Sequence, residues 1–220
     1  MLPYVVLHPS VPLGPLDDIS RGILLQNARR RHIRRAEILG VNGDPSINVF
    51  LVVEGLLLLY RVSEAGREIA FDCLSSGDSY GLEDVLCQQL YSLSCRATTN
   101  GIVWQIPAGD LKSIVLENRV LAEAVIRWLG QRLRLQAEHT ELLTLENLSE
   151  RVQVILRRLC HRSTLYEEKM FLPIDQSDLA ALAGASRQRT NAILVRLRKT
   201  GALDHGRRGL NLNRRWFESD

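Results

Sequence analysis

No apolar run in the 220-residue sequence approaches the roughly 20 residues of a membrane-spanning helix, so such a helix is excluded. Nothing resembles a signal peptide either. The first 20 residues carry Pro3, Pro9, Pro12 and Pro15 and no uninterrupted apolar stretch, and a cytoplasmic protein is expected. Cysteine is scarce: Cys73, Cys87, Cys95 and Cys160 lie at uneven gaps of 14, 8 and 65 residues. No C-x-x-C pair and no Cys/His zinc spacing occurs, and a disulfide framework is not expected without export signals. The cysteines read as buried, neutral thiols, with redox sensing by Cys87 or Cys95 as the alternative. The five histidines (His8, His32, His139, His161, His205) are scattered, and neither a nucleophile elbow nor a phosphate-binding glycine loop is present. Catalytic chemistry therefore has no visible constellation, and no enzyme is expected.

The net charge is only +3, but it is unevenly spread. Asn147 to Asp220 holds 14 Lys+Arg against 8 Asp+Glu, whereas Met1 to Glu146 holds 14 against 17. One part of the chain is thus suited to meet a polyanion. A second basic cluster, Arg29-Arg30-Arg31-His32-Ile33-Arg34-Arg35, alternates in a strand-like way and reads as a solvated strand.

After a proline-rich arm, Ile19 to Ala28 suits a short helix. From about His32 to Pro107 the pattern is β. The runs Val49–Val53, Leu56–Val62, Ile69–Leu74 and Ile102–Ile106 are separated by turn signals such as Asn42-Gly43-Asp44-Pro45, Glu54-Gly55 and Ser76-Gly77-Asp78. This spacing predicts a sandwich or small barrel. Ala108 to Leu148 then contains no proline, and its apolar residues recur at helical spacing. Leu121, Trp128, Leu135 and Leu142 are each seven apart, which predicts a long helix whose stripe forms a dimer interface. Arg132 and His139 interrupt the flank of that stripe. Glu150 to Cys160 reads as an amphipathic helix, and Arg162 to Lys169 as a polar loop.

Asp175 to Lys199 divides into two helices. Asp175 caps the first, Leu179, Ala180 and Leu182 supply its buried side, and Gly184 suits the tight turn. Ser186 caps the second, whose Ile193, Leu194 and Leu197 face inward. Polar residues crowd the start of that helix, as a recognition helix requires in the major groove. Arg187, Gln188 and Asn191 are the expected base readers. Ser177, Ser186, Arg189 and Thr190 are expected on the DNA backbone, joined by Arg207 and Arg208 at the tip of a hairpin wing from Leu203 to Leu212.

The order of β-roll, long helix and winged helix-turn-helix resembles the cyclic-AMP receptor protein / fumarate-nitrate regulator (CRP/FNR) superfamily. Gly43-Asp44-Pro45, Gly55, Gly66, Gly77-Asp78 and Gly81 match its β-roll turns, and Ser186-Arg187 matches the opening of its recognition helix. The resemblance implies an α+β chain with a cupin-like antiparallel β-roll over 1–110, a dimerisation helix over 111–147 and a DNA-binding domain over 148–220. It further implies a homodimer on a near-palindromic duplex operator, with RNA polymerase as a partner. Members that bind cyclic nucleotides carry Gly-Glu followed downstream by Arg-Ser. Here the first site reads Gly81-Leu82-Glu83, the second falls at Tyr91-Ser92-Leu93-Ser94, and no arginine comes before Arg96. The Thr-Ser pair of the long helix is replaced by Gln136-Ala137. Cyclic AMP is therefore not the expected effector, because a buried phosphate would lack its charge partner. No cysteine precedes Cys73, which argues against the iron–sulfur cluster of oxygen-sensing members. For a small acidic effector, Arg127, Arg132 and Arg134 are the candidate residues where the long helix faces the β-roll. The competing reading is a cupin-type metal-dependent enzyme with an appended helical domain, which a metal analysis would decide.

Overall fold

The computed structural model describes residues 18–66, 68–109, 111–161, 169–206 and 209–213. The chain forms two compact units that divide between His139 and Thr140, inside the long helix rather than at either of its ends.

In the first unit α1 (Asp18–Leu25) precedes β1 (Arg29–Ile33), β2 (Ile38–Gly40), β3 (Asn48–Glu54), β4 (Leu57–Val62), β5 (Glu68–Leu74) and β6 (Ser79–Tyr80). The short α2 (Leu82–Leu86), then β7 (Ser94–Ala97), β8 (Gly101–Pro107), α3 (Leu111–Glu117) and α4 (Arg119–Leu145) follow. Two four-stranded antiparallel sheets, ordered β1-β8-β3-β6 and β2-β7-β4-β5, make up the expected β-roll. Strand β3 shows why its sequence is continuously apolar. Successive side chains point to opposite faces, and both faces are covered. Phe50 and Val52 join Leu57, Leu59, Leu74 and Val103 between the sheets. Val49 and Leu51 pack instead with residues of the helices, from Leu24 of α1 to Trp128 of α4.

The helix expected from residue 111 is broken at Asn118. Its side chain accepts the Leu121 amide at 3.0 Å, and the cap starts α4 as a new helix of 27 residues. The four residues expected at a dimer interface lie in different surroundings. Leu121 and Trp128 are 0% and 6% exposed within a single chain, because they share a buried cluster with residues of β3 and α2. Leu142 is buried as well, and Leu135 is half-buried. A different row on α4, Ile126, Leu129 and Leu133, is exposed, with Ile126 at 68% and Leu133 at 74%.

The second unit contains α5 (Leu148–His161), β9 (Lys169–Leu172), α6 (Gln176–Leu182), α7 (Arg187–Lys199), β10 (Leu203–Gly206) and β11 (Gly209–Asn213). The expected hairpin forms, and β9, unforeseen in the sequence, pairs with β11 to make a three-stranded sheet ordered β10-β11-β9. Val152, Ile155, Leu156, Leu172, Leu179, Leu194 and Leu210 are among the buried residues of this unit.

Candidate nucleic-acid interface and effector cradle

The two helices of the interface begin on side-chain caps. Asp175 accepts the amides of Ser177 at 2.9 Å and Asp178 at 2.8 Å, so the first turn of α6 has partners for its free donors. After α6 the chain reverses at Gly184, whose φ of 60° lies in the left-handed region that favours glycine. The Ala185 amide then reaches the Ala180 carbonyl at 3.0 Å, and the Gly184 amide reaches Ala181 at 3.2 Å, closing the turn. Ser186, in extended conformation, accepts the Arg189 amide at 3.4 Å and starts α7.

Arg187, Gln188 and Arg189 are exposed on the first turn of α7, with Ser186 beside them, and Asn191 is half-buried. Ser177 is exposed at the start of α6. Thr190, expected on the DNA backbone, is 0% exposed. It lies three, four and seven positions before Ile193, Leu194 and Leu197 and so shares their inward face. Among the described residues its Oγ1 has no hydrogen-bond partner. Arg196 and Lys199, not singled out from sequence, are exposed further along α7, where the seven-residue spacing from Arg189 to Arg196 is the signal that would have found the first. Arg207 and Arg208 lie outside the described residues.

In the β unit, the segment from Gly81 to Ser94, where cyclic-nucleotide-binding members carry Gly-Glu and Arg-Ser, contains α2. Gly81, at φ 79°, caps this helix, and a Cβ there would meet the Tyr91 ring at 2.7 Å. The Ser92 donors of the downstream segment are already engaged. The Ser92 amide and hydroxyl both donate to Oδ2 of the buried Asp84, at 3.2 and 3.4 Å. The guanidinium that reaches this segment is Arg61, which donates to the Ser92 carbonyl at 3.0 and 2.8 Å. Arg96 lies 4.8 Å over the Tyr60 ring and holds Glu68 at 2.9 Å. Glu83 has a buried carboxyl oxygen with no hydrogen bond among the described residues. Burial pushes its carboxyl up from the ordinary value, against its backbone hydrogen bond and the Arg132 charge, while Asp84 adds to the rise. An internal carboxylate thus holds the Ser92 donors, and Glu83 stands beside it.

Of the three arginines considered for a small acid, Arg127 and Arg134 are exposed, whereas Arg132 turns toward the β unit and pairs with Asp72. Cys95 is fully buried, and burial, then the neighbouring Cys73, push its thiol well above the ordinary value. Cys87 is exposed. Among the described residues, no group of three or more His, Cys, Asp or Glu is placed to hold a metal, and no helix is long and apolar enough to cross a membrane.

Comparison with known proteins agrees with this architecture. Residues 30–118 match the family described as cyclic nucleotide-binding domain, and residues 150–215 match the Crp-like helix-turn-helix domain. The chain is similar to electron transport regulator A of Shewanella oneidensis, 24% identical over 195 residues, or 87% of this chain and 75% of that protein. It is also similar to the cyclic AMP receptor protein of Thermus thermophilus, 24% identical over 184 residues, or 84% of this chain and 83% of that one. The solved structure of FixK2 from Bradyrhizobium japonicum shares the fold, with a TM-score of 0.77 at 23% identity, covering 87% of this chain and 96% of that one. With a cyclic nucleotide-binding domain followed by a Crp-like helix-turn-helix, the chain belongs to the CRP/FNR family of DNA-binding transcription regulators.

Proposed function

We propose that this regulator binds a near-palindromic duplex operator as a homodimer, with Arg187 and Gln188 reading base edges and Asn191 assisting from the next turn. The observation that carries the reading is the capped start of α7, where Arg187, Gln188 and Arg189 project together from the buried face formed by Thr190, Ile193, Leu194 and Leu197. An arginine forms a bidentate pair with guanine and a glutamine with adenine, and the helix N-terminus favours the nearby phosphates. Ser177, Ser186 and Arg189 contact the backbone, extended along α7 by Arg196 and Lys199, while Arg207 and Arg208 do so from the wing. The exposed row Ile126, Leu129 and Leu133 forms the dimer seam, since three large apolar side chains at three- and four-residue spacing suit a facing helix.

The β unit supplies the input, and its effector is not cyclic AMP, because Asp84 holds the Ser92 donors and Arg96 is paired with Glu68. Nor is an iron–sulfur cluster the cofactor, with Cys73 and Cys95 buried and no cysteine before them. The protein works in the cytoplasm, with RNA polymerase as its partner at the promoter. The reading as a metal-dependent enzyme is set aside, since the family is one of regulators. Selection of bound fragments from random duplex DNA by the intact protein tests the proposal. Two matching half-sites about one helical turn apart are expected. A single unrepeated half-site, or no enriched sequence, would overturn it. Titration calorimetry with cyclic AMP should give no binding at micromolar concentration.

A further inference from the structure

Helix α4 is attached to the β unit in two ways along its length. Its first part is held by apolar packing: Leu121, Ala124, Val125 and Trp128 belong to one buried cluster with β3, β8, α2 and α3. That cluster contains no residue of α4 after Trp128. One turn further on, Arg132 reaches β5 and pairs with Asp72 through Nη1 and Oδ2.

Several features make this pair suited to orienting a helix. The side chains are only 11% and 19% exposed, so the pair is shielded from salt more than a surface contact is. The carboxylate is oriented beforehand, because the other oxygen of Asp72 accepts the Cys73 amide at 2.7 Å. Asp72 also follows an irregularity in the β4–β5 ladder: Leu59 pairs with Asp72 but Tyr60 pairs with Ala70, which leaves Phe71 without an opposite residue. Such a bulge re-aims the neighbouring side chain. On the helix, the guanidinium carbon of Arg132 lies 5.7 Å from the centre of the Trp128 ring, so the cation rests on the last apolar anchor. A planar, forked cation held on both sides resists rotation of the helix about its axis better than apolar contacts do. Adjacent in sequence to Arg132 is Leu133, the most exposed member of the row proposed to meet a second copy.

We infer that Arg132 is a positioning residue that, through Asp72, sets the rotation of α4 on the β unit and so the presentation of Ile126, Leu129 and Leu133 to the partner chain. The inference rests on the homodimer reading for its consequence, but the clamp itself can be measured separately. A buried ion pair is a poor source of net stability and a better source of a single defined geometry. The clamp therefore acts on assembly more than on melting.

The test uses the full chain carrying Asp72→Asn, Arg132→Gln, both together, or the exchanged pair Asp72→Arg with Arg132→Asp. Sedimentation equilibrium reads the dimer dissociation constant, and amide hydrogen exchange reads α4 on either side of Trp128. Each single variant is expected to weaken the dimer by about tenfold and to speed exchange over 129–139 while leaving 119–128 unchanged. The double variant should be no worse than either single one, and the exchanged pair should recover part of the loss. Dimer constants and exchange rates within about twofold of the unmodified chain in both single variants would overturn the inference, whatever their melting temperatures. Should Arg132→Gln not fold, Arg132→Lys replaces it and is expected to change both readouts in the same direction, with unchanged readouts again overturning the clamp. A monomeric unmodified protein would instead refute the homodimer reading, and the exchange measurement would still decide whether Arg132 holds α4.

Discussion

Asn147 and Glu150 cap one another across the first turn of α5. Asn147 Oδ1 accepts the amides of Ser149 at 2.9 Å and Glu150 at 3.2 Å, while the Glu150 carboxylate accepts the Asn147 amide at 3.3 Å. The reciprocal arrangement satisfies donors that a helix start otherwise leaves open, and it starts α5 as a new helix after α4. Nearby, Arg151 donates to the Leu143 carbonyl at 3.5 Å, a cation at the end of α4 where the helix dipole favours one. Asn147→Ala is expected to cost about 1 kcal/mol in chemical denaturation, and Asn147→Asp much less. Equal stability of the Ala variant and the unmodified protein would refute the cap.

Thr190 is expected to behave as a core residue. Its hydroxyl is buried and has no hydrogen-bond partner among the described residues, so Thr190→Val should raise stability by about 1 kcal/mol and leave DNA affinity unchanged. A loss of affinity in a binding titration, with stability unaltered, would return Thr190 to the DNA backbone contacts.

The Glu83 carboxyl gives a pH-dependent prediction. Its folded value is raised, chiefly by burial, so its contribution to stability is fully present below the unfolded value and is lost as pH rises through the folded value. Glu83→Gln removes that loss. Melting curves at pH 4 and pH 8 should therefore show the variant gaining more, relative to the unmodified protein, at the higher pH. An equal or smaller gain at pH 8 would mean that the Arg132 charge outweighs burial.

Cysteine reactivity separates the four thiols. Cys87 is exposed, whereas Cys73, Cys95 and Cys160 are buried. One thiol per native chain should react quickly with an aromatic disulfide reagent, and Cys87→Ser should abolish that phase. The remaining three should react only on unfolding. Fast labelling of Cys95 would contradict its buried, protonated state.

The sequence and the structure part company at instructive places. Long runs such as those of β3, β4 and β8 were legible because each fills a strand and ends at a turn signal. The three-residue β2, two-residue β6 and four-residue β7 are too short to display a period. The seven-residue repeat from Leu121 revealed an apolar face on α4, but periodicity does not say what covers a face; here the β unit of the same chain covers much of it. Asn118 carried a capping signal that the surrounding apolar pattern obscured. In the interface, Asp175, Gly184 and Ser186 act as local chemistry dictates, since caps and left-handed turns depend on a few adjacent residues. Asp84, by contrast, meets Ser92 only through the folded β unit, and no local pattern announces it.

The direct test of the DNA-reading account is competition binding of the unmodified protein and Arg187→Ala to the selected operator and to random duplex of equal length, at one salt concentration. The account predicts that the substitution removes about 1–3 kcal/mol from operator binding, relaxes preference at one base pair of each half-site and leaves binding to random duplex nearly unchanged. Equal losses on operator and random DNA would contradict it, because Arg187 would then be a phosphate contact and α7 would not be reading sequence through it.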